Sequence, residues 1–100
     1  MLAPTLVLPH EAIAALCAQY HVRELLIFGS AIRDDFSPES DVDLLVEFEP
    51  EAKVGFLTLI RLERELAALL QRPVDLVPKN GLHPRLRASV LASAQVLYAA

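Results

Sequence analysis

Three aspartates stand where aspartate is awkward. Asp41 and Asp43 lie two apart in "SDVDLLVEF", at the head of an apolar run, and Asp75 stands alone inside "PVDLV". On a strand, residues i and i+2 point the same way, with Cα atoms about 6.5 Å apart. Asp41 and Asp43 therefore converge on one side. Two ionised carboxylates so placed repel each other and lose solvation, so one tends to hold its proton unless something compensates. A divalent cation removes that penalty. Mg²⁺ takes hard oxygen ligands, typically one or two carboxylates together with phosphate oxygens and water. Asp75, between Val74 and Leu76, is costly unless it faces solvent or a site. Carboxylates on adjacent strands can hold two metals about 3.5–4 Å apart, one for the attacking oxygen and one for the leaving phosphate.

A place for phosphate lies ten residues upstream. Gly29 ends the run "LLIF" and lets an oxyanion approach the backbone closely. Ser30 offers a hydroxyl and opens a turn whose free N–H groups suit an anion. Arg33, one turn on, can add a charge-assisted contact to phosphate, with a surface ion pair to Asp35 as its alternative. Gly-Ser for phosphate and Asp-x-Asp for metal together describe phosphoryl or nucleotidyl transfer. The blander alternatives are a solvated strand-edge pair for Asp41 and Asp43 and an exposed strand acid for Asp75. Glu47 shares the aspartate side of its strand but lies farther along, and reads as solvent-facing.

The elements that must position these residues follow from apolar spacing. Ile13, Leu16, Cys17 and Tyr20 form one stripe of a helix over 9–20, with Pro9 at its first position. The run before Gly29 predicts a buried strand over 24–28. Residues 30–33 fit one helical turn, and 34–40, with Pro38, a loop. The strand over 41–48 turns Val42, Leu44, Val46 and Phe48 inward and leaves Asp41, Asp43, Leu45 and Glu47 on the other face. A helix over 54–71 buries Leu59, Leu62, Leu66 and Leu69 or Leu70, with Arg61 and Glu65 four apart outside. A short strand over 73–77 carries Asp75. A last helix over 84–98 turns Leu86, Val90, Ala94 and Leu97 inward. The order is α-β-β-α-β-α, an α/β or α+β domain with helices packed on a small sheet.

One hundred residues make a single domain, 1–100, burying about two-thirds of its extended-chain surface. At 54% apolar, the chain has a dense core, a surface kept for a partner, or both. No apolar run approaches the roughly 20 residues of a membrane span. The apolar start, residues 1–9, is short and has no basic flank, so it does not read as a signal peptide. A single cysteine, Cys17, reads as a small core residue, and a reducing cytoplasm is the expected setting. A net charge of -4 argues against a general nucleic-acid binder. From Asp34 to Glu51 there are eight acids and no Lys or Arg, a solvated face, a loop, or a site whose counter-ion is a metal. His10, His21 and His83 show no metal spacing and read as surface or helix-end residues. Lys79, Arg85 and Arg87 form a small basic cluster, solvated or in contact with a partner or nucleotide.

The stretch "GSAIRDDFSPESDVDLLV" resembles the motif of the minimal nucleotidyltransferases: Gly-Ser, ten residues, Asp-x-Asp, within the polymerase-β-like nucleotidyltransferase fold. The resemblance extends to the preceding helix, the long helix and the "VDLV" strand. It implies that Gly29 and Ser30 hold a triphosphate and that Asp41 and Asp43 are metal ligands. Asp75 matches the third carboxylate, a general base or a helper to the metal that activates the acceptor hydroxyl. The family often has Arg-Gly-Asp after Gly-Ser, where this chain has Arg33-Asp34-Asp35, which leaves the role of Asp34 open. Aspartate tolerates positive φ better than most residues, should that position need it.

The resemblance further implies Mg²⁺, as two ions, and ATP as co-substrate. Such stand-alone domains are commonly encoded beside a helical HEPN ribonuclease toxin and act as its antitoxin, attaching AMP to a toxin tyrosine. The expected assembly is a hetero-oligomer with the toxin, with a homodimer as the other possibility. Two other functions remain open: a module that neutralises its partner by covering it, and a small-molecule nucleotidyltransferase whose acceptor site comes from a partner.

Overall fold

The computed structural model describes residues 8–29 and 41–100. Its elements are α1 His10–Gln19, β1 Val22–Phe28, β2 Val42–Phe48, α2 Phe56–Leu70, β3 Val74–Pro78, α3 Pro84–Ser93 and β4 Gln95–Ala99, with a 3-10 turn at Lys79–Gly81. The first six follow the α-β-β-α-β-α order expected from the sequence. The strands form one sheet in the order β3-β2-β1-β4. β1 runs antiparallel to both β2 and β4, whereas β2 and β3 are parallel and joined by α2.

Alternation along the strands builds the core. Leu25 and Ile27 of β1, Val42, Leu44 and Val46 of β2, and Leu76 of β3 meet Ile13, Leu16, Cys17 and Tyr20 from the α1 side and Leu62, Leu66 and Leu70 of α2. Burial pushes the Cys17 thiol up to about 11, as expected of a cysteine used for packing. The opposite face of the sheet is not wholly polar. Leu45 is fully buried there, opposite Leu26 in register, and both lie outside the main core cluster.

Helix ends explain several differences from the expected boundaries. Pro9 is the N-cap of α1 rather than its first residue. His21 takes the left-handed turn after the helix at φ 59°, and β1 begins at once with buried Val22. Gln71 ends α2 in the same left-handed region. Spacing put Glu65 on the outer side of α2. The structure turns it inward to accept a hydrogen bond from the Tyr20 hydroxyl. That bond, followed by burial, raises the Tyr20 pKa.

The helix expected over 84–98 is corrected. It stops at Ser93, because Ala94 adopts φ -65°, ψ 147° and extends the chain. Residues 95–99 then pair with β1, matching Leu25 to Tyr98 and Leu26 to Val96 with a bulge between them. Val96, Leu97 and Tyr98 suit a pleated surface, and the unpaired edge of β1 supplies the partner. The i, i+3, i+4 spacing is local and carries no trace of that long-range pairing. Leu97 and Tyr98 do reach the core, but from a strand. α3 contributes no buried residue, and Leu86, expected inside, is 55% exposed. His83 is a helix-end residue, as expected: its Nδ1 accepts from the Arg85 N–H at 3.1 Å, and Pro84 opens α3.

Candidate functional site

The sheet brings the acids to one end. Because β2 and β3 are parallel, their N-terminal ends coincide, and antiparallel β1 delivers its C-terminal end, Phe28-Gly29, to the same place. Asp43 is the register partner of Phe28 on one side and of Asp75 on the other. Neighbouring strands lie about 4.8 Å apart, so the backbones of Asp43 and Asp75 are adjacent. Their neighbours Val42, Leu44 and Leu76 point into the core, so both aspartates face away from α1 and α2. Asp41 sits just outside the strand, whose first residue is Val42. The Val42 N–H donates to the Pro73 carbonyl at 2.9 Å and ties the start of β2 to the start of β3. Asp41 and Asp75 are exposed and Asp43 is half-buried.

Gly29 is fitted to this site by two constraints. Its φ is +76°, a region that side chains with a Cβ rarely adopt. A Cβ there would also lie 3.1 Å from Cγ and 3.3 Å from Cβ of Asp43, and nearer still to Oδ2. The sequence pointed to room for an oxyanion at Gly29; the structure adds that the carboxylate of Asp43 occupies the space beside it. Ser30 and Arg33, with the turn over 30–33 and the loop over 34–40, lie outside the described residues.

The donor set is all oxygen. Asp41, Asp43 and Asp75 suit Mg²⁺, which takes one or two carboxylates and completes its shell with phosphate and water. The missing Cβ at Gly29 leaves the Asp43 carboxylate its place among them. Among the described residues no three His, Cys, Asp or Glu side chains already enclose a metal position.

Among the described residues, sequence reasoning missed two polar contacts besides that of Tyr20 with Glu65. Lys79 Nζ lies 3.1 Å from Glu24 Oε1, so of the three basic residues Lys79 pairs with an acid of β1, while Arg85 and Arg87 are exposed on α3. Glu63 of α2 accepts from the Leu76 N–H at 2.8 Å. Neither pair has a local signal, since their partners lie far apart in the chain. Glu47 is half-buried rather than solvent-facing, and it lines a cavity of about 380 Å³ with Arg23, Lys79 and Asn80. A second cavity of about 670 Å³ lies among Tyr20, His21, Glu49, Glu51, Lys53 and Thr58. Both cavities sit at the other end of the sheet from the aspartates, which line neither. Among the described residues no helix is long and apolar enough to cross a membrane.

Comparison with known proteins agrees with this arrangement. Residues 10–97 match the model of the nucleotidyltransferase domain. The protein adenylyltransferase MntA of Thermococcus cleftensis is 42% identical over 73 residues, 73% of this chain and 72% of that protein. A solved structure described as a candidate minimal nucleotidyltransferase superposes with a TM-score of 0.74 at 41% identity, covering 86% of each chain. A chain from a complex of a tri-AMPylated Shewanella oneidensis HEPN toxin with an MNT antitoxin superposes with a TM-score of 0.66. That pair is 20% identical, over 91% of this chain and 70% of the other, so it bears on the fold alone. On its sequence match, its sheet order and the placement of its aspartates, the chain belongs to the nucleotidyltransferase domain family, with the polymerase-β-like fold of the minimal nucleotidyltransferases.

Proposed function

We propose that this nucleotidyltransferase transfers AMP from ATP, with Mg²⁺, to a tyrosine hydroxyl of a partner HEPN toxin in the cytoplasm, and so acts as an antitoxin. The observation that carries the site is Gly29 packed against Asp43, with Asp75 next to it in register. The name of the Thermococcus cleftensis relative, a protein adenylyltransferase, supports a protein acceptor. The AMPylated toxin in the Shewanella oneidensis complex supports the kind of partner. The setting of the aspartates fits as well. Asp41 and Asp75 are exposed at the end of the sheet rather than enclosed, which suits an acceptor presented on the surface of a second protein.

In this mechanism Gly29 and Ser30 bind the triphosphate and Arg33 contacts a phosphate oxygen. Asp41 and Asp43 would hold the cation, with Asp75 as the third carboxylate. Mg²⁺, when bound, would supply positive charge that offsets the phosphates and lowers the pKa of the acceptor hydroxyl. The tyrosine oxygen attacks the α-phosphorus, and a new O–P bond forms as the bond to the β-phosphate oxygen breaks. Pyrophosphate leaves, and the tyrosine proton passes to the Asp75 carboxylate. The products are the AMP-tyrosine ester and pyrophosphate.

Intact mass of the partner after incubation with the protein, ATP and Mg²⁺ tests this. AMP-sized increments are expected with the native protein and none with Asp41→Asn plus Asp43→Asn. Increments that survive the double substitution would sink the mechanism. Exposed Phe56 (74%) and Leu57 (76%) at the start of α2 favour a contribution from binding alone. Full neutralisation of the toxin by an Asp43→Asn variant that adds no AMP would favour that second function.

A further inference from the structure

We infer that Glu63 is a positioning residue for Asp75, an inference that rests on the nucleotidyl-transfer role proposed for that aspartate. β3 is an edge strand of five residues, held on one side by β2 and open on the other. The Pro73 carbonyl faces β2, where it accepts from Val42, so the backbone groups of residue 75 face β2 as well, and those of 74, 76 and 78 face outward. Pro78 has no N–H to leave unmet. The Leu76 N–H is met by Glu63 Oε2 at 2.8 Å. Glu63 lies in α2 between buried Leu62 and the turn of buried Leu66, so its carboxylate comes from a well-seated part of the helix. A charged acceptor makes this a stronger bond than a neutral one would.

The clamp acts on the residue that follows Asp75. Asp75 is itself exposed, and its place beside Asp43 depends on β3 keeping its register and its distance from β2. Without Glu63, β3 keeps its bonds to β2 but loses the outer one that joins it to α2. A displacement of about 1 Å at a reacting group can cost about 100-fold in rate. Glu63 does not touch the site, because the Asp75 side chain and the outward Leu76 N–H leave the strand in different directions.

Three substitutions test this in the full chain with its protein acceptor. Glu63→Leu removes the acceptor oxygen, Glu63→Asp draws it back by one methylene, and Glu63→Gln keeps it. Glu63→Leu is expected to lower kcat about tenfold with KM for ATP unchanged, and Glu63→Gln to restore most of it. In an Asp75→Asn background Glu63→Leu should lower the residual rate no further, since residues that act as a unit are not additive. Amide exchange at Leu76 should quicken at least tenfold in Glu63→Leu while Leu44 is unchanged. If Glu63→Leu does not fold, Glu63→Asp takes its place in each comparison. A native kcat in the Glu63 variant, or an equal fold-loss with and without Asp75, would overturn the inference. Asp75→Asn with native turnover, alongside inactive Asp41→Asn plus Asp43→Asn, would overturn it too while leaving nucleotidyl transfer standing.

Discussion

At Gly29 the backbone turns at φ +76° while the Cα lies against the carboxylate of Asp43. Gly29→Ala therefore meets two penalties. A left-handed conformation costs an L-residue about 1–2 kcal/mol. The added methyl must also displace Asp43. One kcal/mol lowers Tm by about 4–8 °C in a domain of this size, so a Tm lower by at least 5 °C is expected in thermal unfolding. Transfer of AMP should fall more than tenfold at a temperature where the variant is still folded. A native rate there would mean that Asp43 is not placed by this contact. Asp41, Asp43, Asp75 and Gly29 were all legible as candidates, because residue type and short spacing carry their chemistry. The close approach of Gly29 to Asp43 was not, because it arises from the pairing of β1 with β2.

At the scale of elements, local periodicity served well wherever an element buries its own stripe. α1, β2 and α2 put Leu16, Val42, Leu44, Leu62 and Leu66 where spacing predicts. It failed at the end of the chain. Leu86, Val90, Ala94 and Leu97 keep helical spacing across two different elements, and the edge of β1 claims the second. The two assignments make opposite forecasts. With α3 ending at Ser93, Leu86→Ala touches an exposed side chain and should change stability by no more than about 0.5 kcal/mol. Leu97→Ala removes a half-buried side chain packed on the core and should cost about 1–3 kcal/mol. Urea unfolding of the two variants separates them, and equal, large losses would restore the single helix over 84–98.

At the scale of the whole molecule, the pairing that closes the core also gathers the carboxylates. The sheet gains by holding β2 and β3 together, and their pairing sets Asp43 beside Asp75, with Asp41 at the strand's start, in a chain of net charge -4. A cation held among these carboxylates would be bound by the folded state, where the two strands bring them together. Whole-molecule stability should therefore report occupancy of one end of the sheet. A ligand that binds only the folded state at a hundred times its Kd stabilises it by about 2.7 kcal/mol. With Mg²⁺ and a non-hydrolysable ATP analogue at that excess, Tm should rise by about 10 °C or more, and chelation of the metal should reverse most of the rise. Asp41→Asn plus Asp43→Asn removes two of the three candidate ligands. The same variant should lose the rise with Mg²⁺ and analogue. Scanning calorimetry of both proteins, with and without chelator, makes the comparison. A variant that keeps the full rise would place the metal and nucleotide elsewhere than at these aspartates.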